Sequence, residues 1–565
     1  MELLEKHFDI AFAAPDGIKK LRELILTLAM QGKLMQQNQD DQPASVLLKE
    51  IEAEKKRLVK KGEIKAPKPL PEIKLEEAPF ELPKGWEWVR LGDVSEVNGG
   101  FAFKSSKYTN DGMRVIRISD FDEKGFKNDK VVRYQFSDVL RNFKLEPNNI
   151  LMAMTGGTVG KSLLVKELPE PMVVNQRVAT IRIFPGVIPE YINSLIQTNL
   201  IQSVIHSAKN STNDNISMGD ITGFLVPLPP FFEQRRIVEK IDQLMARCDE
   251  LEKLRNEREQ KRINVHTSAL NRLLSAQESN IFTDAWQFIA KHFGELYSVK
   301  ENVAELRMTI LQLAVLGKLT TPFDSNTPVT SLIQNLQREQ NKNSSIKNND
   351  KEHIQNLLEN AFSNVSKNRV NLAARTFCEF ITKGTTPSAN ELTETGDIPF
   401  LKVYNIVNNS LDFDYKPSFV SFYTHRNTLK RSIILPGDVI MNIVGPPLGK
   451  VAIVTDQFSE WNMNQALAVF RPLAGISNKY IYYMLSTFSV LKSVLRDVKG
   501  TAGQDNLSLE QCRDLDIPIP SIEEQHRIVA IIDKLMSLCD ELDKQIDAST
   551  QKQTTLLNAV MAQVR

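Results

Sequence analysis

The sequence predicts an α+β protein in which one plan, a mixed α/β domain followed by a long helix, occurs twice in tandem. Residues 226–251 and 517–542 are identical at 15 of 26 positions, and residues 21–34 and 306–319 at 9 of 14. In both halves, short runs rich in Val, Ile and Phe follow a helical stretch. The offsets of 291 and 285 residues far exceed the period of a solenoid or propeller, so each repeat is a whole domain with its helices.

The composition is that of an ordinary globular protein that contains no membrane span. Of its 565 residues, 42% are hydrophobic and 25% are charged, and the formal net charge is +1. No run approaches the roughly 18 apolar residues that cross a bilayer, and the first residues do not resemble an export signal. We therefore predict a cytoplasmic protein. Any binding to nucleic acid must depend on local basic patches, because the global charge is balanced.

The first elements are helical. Residues 18–34 have apolar positions at helical spacing and end near Gly32, as a helix C-terminus requires. A second helical stretch spans residues 44–61, and the proline-rich segment that follows, up to Pro83, is typical of an extended linker. From Trp86 the pattern changes to short strands, followed by a helix over residues 191–208.

A long helix with a heptad seam follows each mixed domain. In the first copy, the apolar positions Ile237, Ile241, Leu244, Cys248 and Leu251 are spaced 4, 3, 4 and 3 residues apart. The second copy has the same register from Ile528 to Leu542, so we predict that the two helices pack as an antiparallel pair. We expect Cys248 and Cys539 to be packed in the core, because the four cysteines show no metal-ligand or disulfide spacing.

The domain boundaries follow from these patterns. We predict N-terminal helices and a linker over residues 1–85, a first mixed domain over 86–231, a central helical region over 232–320, a second linker over 321–374, a second mixed domain over 375–520 and a C-terminal helix over 521–565.

The sequence contains no recognisable catalytic motif. The segment 155–162, TGGTVGKS, departs from a phosphate-binding loop at its first position, continues as a strand, and has a repeat copy without the final Ser or Thr. A tight turn between strands is the preferred interpretation, and a turn that brings a lysine to DNA phosphate is the alternative. There is no Asn-Pro-Pro-Tyr motif for methyl transfer to adenine and no HExxH. No metal site is expected.

Polar residues that both copies share are the first candidates for DNA contact. The alignment pairs Gly99 with Gly384, Arg117 with Lys402, Lys161 with Lys450, Asn175 and Gln176 with Asn464 and Gln465, and Asn215 with Asn506. Asn and Gln can pair with adenine, and Arg or Lys with guanine. Residues shared by both copies could equally maintain the fold, because residues that read different sequences should differ. Unshared polar residues are therefore candidates too, namely Lys104, Ser105, Ser106, Lys107 and Tyr108 in the first copy and Lys383, Thr385, Thr386, Ser388 and Asn390 in the second.

The chain resembles the specificity subunits of type I restriction-modification systems. The motifs that carry the resemblance are LRELILTLAMQGKL at residues 21–34, LPKGWEWVRLGDV at 82–94, and VPLPPFFEQRRIV at 226–238 with its repeat IPIPSIEEQHRIV at 517–529. The resemblance extends over essentially the whole chain. One departure is that Trp86 and Trp88 have no counterpart in the second half.

The resemblance implies a non-catalytic subunit with two target-recognition domains, held apart by long antiparallel coiled-coil helices with pseudo-two-fold symmetry. Each domain would read half of a bipartite, asymmetric site in double-stranded DNA. The expected partners are two modification subunits, which methylate adenine N6 from S-adenosylmethionine, and two restriction subunits, which use ATP and Mg²⁺ to cleave DNA; no cofactor is expected in this chain. Pseudo-symmetry requires the N-terminal helix to pack beside the C-terminal one.

Two other functions would fit parts of the sequence. The chain could be a coiled-coil scaffold whose mixed domains bind protein, or a fused single-chain methyltransferase or nuclease. The absence of catalytic motifs disfavours the enzyme, and salt-dependent binding to duplex DNA would distinguish DNA recognition from the scaffold.

Overall fold

The computed structural model describes residues 8–208, 215–320, 328–344, 346–366, 368–445, 447–495 and 506–564. These residues form two compact units. The first contains Met1–Arg258 and Ala548–Arg565, and the second contains Glu259–Asp547. No described helix is both long enough and apolar enough to cross a membrane.

The helices follow the predicted order. Those before the first long helix are α1 (Gly17–Met30), α2 (Ala44–Lys60), α3 (Leu91–Val94), α4 (Pro189–Ile196), α5 (Asn199–Ala208) and α6 (Met218–Thr222). The long helices are α7 (Phe231–Ser275) and α18 (Ile522–Val564). Between them lie α8 (Ser279–Lys291), α9 (Phe293–Leu296), α10 (Lys300–Val315), α11 (Val329–Lys342), α12 (Asn348–Ser363), α13 (Ala374–Phe377), α14 (Phe422–Arg426), α15 (Asn478–Leu485), α16 (Phe488–Leu495) and α17 (Leu509–Arg513).

The strands are short, as the broken apolar runs predicted. The first unit contains β1 (Glu87–Arg90), β2 (Ser95–Gly99), β3 (Met113–Ile116), β4 (Phe121–Asp122), β5 (Gly125–Phe126), β6 (Arg133–Tyr134), β7 (Ile150–Ala153), β8 (Ser162–Leu164), β9 (Met172–Val174), β10 (Val178–Ile183) and β11 (Leu225–Leu228). The second contains β12 (Arg369–Ala373), β13 (Cys378–Lys383), β14 (Ile398–Leu401), β15 (Ile406–Val407), β16 (Ser410–Leu411), β17 (Phe419–Val420), β18 (Ile433–Ile434), β19 (Val439–Asn442), β20 (Val451–Ile453), β21 (Trp461–Met463), β22 (Leu467–Pro472) and β23 (Asp516–Pro520).

The sheets confirm the tandem duplication strand by strand. An antiparallel sheet of order β2-β10-β7-β8 in the first unit recurs as β13-β22-β19-β20 in the second. The strand pair β1 and β11 recurs as β12 and β23, and the parallel pair β3 and β9 recurs as β14 and β21. The mixed α+β class predicted from the sequence is therefore present in both halves.

The first unit is closed by the end of α18. Leu557, Val560 and Met561 are buried in one cluster with Phe12 and Leu24. This packing confirms that the N-terminal helix lies beside the C-terminal one. The corresponding positions in the second unit, 291 residues earlier, are occupied by His266, Ala269 and Leu270 of α7, which are also buried.

The heptad seams are buried within their own units. Ile237, Ile241 and Cys248 belong to the cluster that contains Ile25 and Leu26 of α1. The second seam, including Ile532 and Cys539, is buried in the core that contains Leu306 and Ile310 of α10. Both cysteines are packed in the core, as predicted, and burial raises the pKa of each thiol.

Repeat-equivalent ion pairs join each N-terminal repeat helix to its long helix. Arg22 of α1 binds Asp249 at 2.5 Å and Glu252 at 2.9 Å. Arg307, which is 285 residues further along, binds Asp540 at 2.7 Å and Asp543 at 2.9 Å. The same salt-bridge geometry therefore fixes the same pair of helices in both units.

An arginine takes the place of the tryptophan that is missing from the second half. Trp86 directly precedes β1, lies against Gly32 and donates from Nε1 to Glu233 Oε2 at 3.0 Å. At the equivalent position, Arg369 begins β12, lies against the repeat glycine Gly317 and donates to the carbonyl oxygens of Ala314 and Val315. The second domain thus begins with a strand equivalent to β1 although its sequence differs there.

The predicted second linker contains helices that are part of the core. In α11, which is the repeat of α2, Leu332 and Leu336 are buried, and in α12 Ile354 and Leu358 are buried. At the place of α12, the described part of the first unit has the proline-rich segment with one short 3₁₀ turn, Leu75–Glu77, instead of an α-helix. In this segment Phe80 packs against Trp88 with ring centroids 4.9 Å apart.

Candidate nucleic-acid interface

Backbone hydrogen bonds join most of the first-copy candidates along one edge of the first mixed domain. The amide of Gln176 donates to Phe101 O, and the amide of Asn175 donates to Ile116 O, both at 2.9 Å. Met154 N donates to Arg177 O and Ile216 N donates to Met154 O, also at 2.9 Å. We call the resulting edge, formed by residues 100–108, 117–120, 154–161, 175–177 and 215–217, the first loop rim.

The second mixed domain has the same edge. Thr385 N donates to Met463 O at 3.1 Å, and Asn464 N donates to Leu401 O at 2.9 Å. Ile443 N donates to Ala466 O, and Leu507 N to Ile443 O, both at 2.9 Å. Three of these bonds repeat bonds given for the first rim, and the bond from Thr385 repeats the one from Phe101 N to Val174 O at 2.8 Å. We therefore call residues 384–391, 402–405, 443–445, 447–450, 464–466 and 506–508 the second loop rim.

The structure corrects one pair of the sequence alignment, because Gly384 is equivalent to Gly100 rather than to Gly99. Gly100 N donates to Val178 O at 3.2 Å, and Gly384 N donates to Leu467 O at 3.0 Å. A Cβ on Gly100 would lie 2.3 Å from Asn175 O, and one on Gly384 would lie 2.1 Å from Asn464 O. Glycine is thus required at both positions because two loops of the rim approach closely.

The shared asparagines hold the turns at the centre of each rim. Asn175 Oδ1 accepts from the amide of Arg177 at 3.1 Å, and Asn464 Oδ1 accepts from the amide of Ala466 at 3.3 Å. Such bonds stabilise a turn through the residue's own side chain. They give the two asparagines a structural role, whereas the neighbouring shared residues Gln176 and Gln465 are exposed.

Arg117 and Lys402 also have partners within the rims. Arg117 forms a bidentate pair with Asp120, with Nε to Oδ2 at 2.8 Å and Nη2 to Oδ1 at 2.9 Å, and these bonds raise the pKa of Arg117. Lys402 Nζ donates to Ser418 Oγ at 3.1 Å. Asp120 occupies the Nε–Nη2 side of the Arg117 guanidinium, and Nη2 also donates to Lys130 O at 2.7 Å. Bidentate base reading by this side of Arg117 would therefore require the pair with Asp120 to open.

The glycine-lysine segment is a turn between strands, as the preferred interpretation proposed. Residues Gly156–Thr158 form one turn of 3₁₀-helix between β7 and β8, and Gly160 has φ +87°. Lys161 is half-buried beyond it. In the second rim, the equivalent Lys450 donates from Nζ to Ile406 O at 3.4 Å.

The unshared candidates lie in or directly beside the first segment of each rim. Lys104 and the 3₁₀ turn Ser105–Lys107 are exposed, whereas Tyr108 packs edge-on against Tyr134 with ring centroids 6.5 Å apart. In the second domain Lys383, Thr385 and Thr386 are exposed. In the second rim, the position equivalent to Lys107 is occupied by Glu391, whose carboxylate accepts a hydrogen bond from Thr424 Oγ1 at 2.9 Å.

The remaining candidates are Asn215 and Asn506. Each is exposed and lies in an isolated β-bridge, Asn215 with Thr155 and Asn506 with Val444. The serine two residues later caps a short helix in both copies, since Ser217 accepts from Asp220 N and Ser508 accepts from Gln511 N. Residues 209–214 and 496–505, which precede them in the chain, lie outside the described residues.

One rim residue that the sequence analysis did not select is Arg177. Its side chain is exposed and follows the shared Asn-Gln pair, whereas the second copy has Ala466 there. The alignment of the two copies shows this difference, because the residue directly after the aligned Asn-Gln pair is an arginine in the first copy and an alanine in the second.

Neither rim has the features of a catalytic centre or a metal site. Over the described parts of the chain, no group of three or more His, Cys, Asp and Glu residues is placed to hold a metal ion. The rims instead present amide, hydroxyl and basic side chains on a backbone fixed by hydrogen bonds. Such groups can donate to and accept from base edges and phosphates.

Comparisons with known proteins show relatives of nearly the whole chain. The family model described as type I restriction modification DNA specificity domain matches twice, over residues 83–260 and 375–551. The EcoAI specificity subunit of Escherichia coli is 27% identical over 96% of this chain and 93% of its own length. The EcoEI specificity subunit of Escherichia coli is 26% identical, with the same coverage.

A solved structure supports the fold. A chain from a study of the assembly and conformational transition of the type I restriction-modification system aligns with a TM-score of 0.51 and 17% identity, over 86% of this chain and 99% of that chain. The two family matches together cover more than half of the 565 residues, one on each mixed domain and its long helix. The chain therefore belongs to the type I restriction modification DNA specificity domain family.

Proposed function

We propose that this chain reads a bipartite, asymmetric sequence in double-stranded DNA, with each loop rim contacting one half-site. The observation that carries the proposal is the duplicated rim, in which the same backbone hydrogen bonds hold different exposed side chains. Lys104, Lys107 and Arg177 of the first rim correspond to Ser388, Glu391 and Ala466 of the second. A common scaffold with different polar groups suits the recognition of two different sequences. The specific residues among the candidates remain a prediction.

The partners follow from this role. Two modification subunits would methylate adenine N6 in each half-site, and two restriction subunits would cleave unmodified DNA in the cytoplasm. S-adenosylmethionine, ATP and Mg²⁺ would be bound by those subunits, and this chain would supply the sequence specificity. The long helices α7 and α18, which each contribute to both units, would set the separation of the half-sites.

The test is to coexpress the chain with its modification subunit in a host that lacks adenine methylation, and to map N6-methyladenine by single-molecule sequencing. We expect one split motif, methylated on both strands. A stable complex without methylation would contradict DNA recognition and favour the scaffold. Methylation by the purified chain alone would favour the single-chain enzyme.

An exposed apolar patch on the second unit is suited to contact with a modification subunit. Met308 of α10, Leu316 beside it and Phe488 of α16 are 47%, 45% and 58% exposed and line one groove with α7 residues. The equivalent positions of the first unit are polar, namely Glu23, Gln31 and Asn199. Because the same fold forms without these apolar residues, folding does not account for them, and exposed apolar patches mark interaction surfaces.

We expect the triple variant Met308→Glu, Leu316→Gln and Phe488→Asn to lower the yield of copurified modification subunit by roughly tenfold or more, because three apolar contacts are lost. Each change introduces the residue that the first unit already accommodates, so the fold should be retained. The matched control is Tyr423→Asn, which removes a more exposed aromatic residue outside the groove. Unchanged copurification of the triple variant would rule out the patch as a docking surface.

A further inference from the structure

At the residue that follows the shared Asn-Gln pair, the two loop rims have the same backbone hydrogen bonds but different side chains. Arg177 and Ala466 have the same backbone bonds, because each carbonyl oxygen accepts from a loop amide at 2.9 Å and each amide donates to the side chain of the asparagine two residues earlier. The backbone that presents the two side chains is thus held in the same way in both domains. The difference between the two positions is the guanidinium group itself.

The Arg177 guanidinium is also unusual within its own domain. Of the seven arginines between residues 86 and 231, six form ion pairs in the described structure: Arg90, Arg114, Arg117, Arg133, Arg141 and Arg182. Arg177 has no acidic partner among the described residues, and its side chain is exposed. Its fork of N–H donors therefore faces solvent on a turn that Asn175 fixes, beside the equally exposed Gln176.

We propose that Arg177 reads a guanine in the first half-site through paired hydrogen bonds to O6 and N7. This inference rests on the proposed function and names one of the groups that carry it out. A contact to phosphate is needed equally by both domains, so it would be expected in both copies. The guanidinium group is present in only one copy, as expected for a group that contacts a base found in only one half-site. That base is expected to be guanine, because an arginine side chain can form two hydrogen bonds with guanine in the major groove.

The experiment maps N6-methyladenine after coexpression with the modification subunit, for wild type, Arg177→Ala and Arg177→Lys. We expect both variants to accept other bases at one guanine position of one half-site, with discrimination lowered by about 5- to 150-fold. The other half-site and the spacer should be unchanged. Lysine keeps the charge but not the bidentate fork, so it should behave like alanine at this position.

Arg141→Ala is the matched control, because Arg141 is an exposed arginine of the same domain whose partner Asp138 lies on its own 3₁₀ turn. It should leave the motif unchanged. An identical motif for Arg177→Ala and wild type would overturn the inference. A second result would also overturn it: Arg177→Ala loses methylation equally at all sites, and Arg177→Lys restores it. This result would indicate a contact with phosphate. A wild-type complex that methylates no split motif would instead overturn the proposed function.

Discussion

Deleting residues 548–565 is expected to destabilise the first unit by about 5 kcal/mol or more, while the second unit keeps its complete core. The deleted end of α18 supplies Leu557, Val560 and Met561 to the cluster that contains Phe12 and Leu24. Burial of each such side chain contributes about 1.5–3 kcal/mol. The second unit contains residues 259–547, so the deleted segment lies outside it.

The measurement is amide hydrogen exchange of the full chain and the truncated chain. We expect faster exchange in α1, residues Gly17–Met30, and unchanged exchange in α10, residues Lys300–Val315, which is its repeat in the second unit. Leu557→Ala should give a smaller effect of about 2–5 kcal/mol, and Asn558→Ala, at an exposed position next to it, should give almost none. Equal acceleration of α1 and α10 would show that the units do not have separate cores.

The duplication made much of this fold predictable. Motifs such as Val226–Leu251 and its repeat are long enough to align without a structure, and alignment transfers the elements that the two copies share from one copy to the other. The prediction was least complete where the copies differ. Arg369 replaces Trp86 through different contacts, with backbone carbonyl groups instead of a carboxylate, and α12 replaces an extended segment. In both places the residue types differ between the copies, so the alignment of the two copies does not identify the equivalent positions.

The site was less predictable than the fold. The sequence identified the loops that form the rims, but it could not distinguish polar side chains that bind the protein from those that face solvent. Arg117 and Asn175 were both candidates, yet the first binds Asp120 and the second holds a turn. Arg177 was not a candidate, although its guanidinium is exposed. Such a distinction depends on distances between loops, which the order of residues does not give.

The repeated Glu-Gln motif at the start of each long helix has a structural explanation. Gln234 Oε1 accepts from the amide of Ile188 at 2.9 Å, and its Nε2 donates to Pro229 O at 3.0 Å. Gln525 Oε1 accepts from the amide of Ser477 at 2.8 Å, and its Nε2 donates to Pro520 O at 3.0 Å. Each glutamine is fully buried and joins the start of a recognition-domain helix to the start of a long helix.

The Gln525→Leu variant is therefore expected to lower the free energy of unfolding of the second unit by about 2–4 kcal/mol, since a buried donor and a buried acceptor lose their partner. Leucine fills similar space, so the loss should come from hydrogen bonds and not from a cavity. Chemical denaturation would measure this loss of free energy. Amide hydrogen exchange in α15 and α10 would show that the loss is in the second unit. Gln234→Leu should destabilise the first unit in the same way.

Gln334→Leu is the matched control for Gln525→Leu, because Gln334 is an exposed glutamine of α11 in the same unit. It should change the stability by less than about 0.5 kcal/mol. If Gln525→Leu were as stable as this control, the buried bonds would not account for the repetition of the motif. A contact with a partner subunit could not account for it either, because this side chain has no exposed surface.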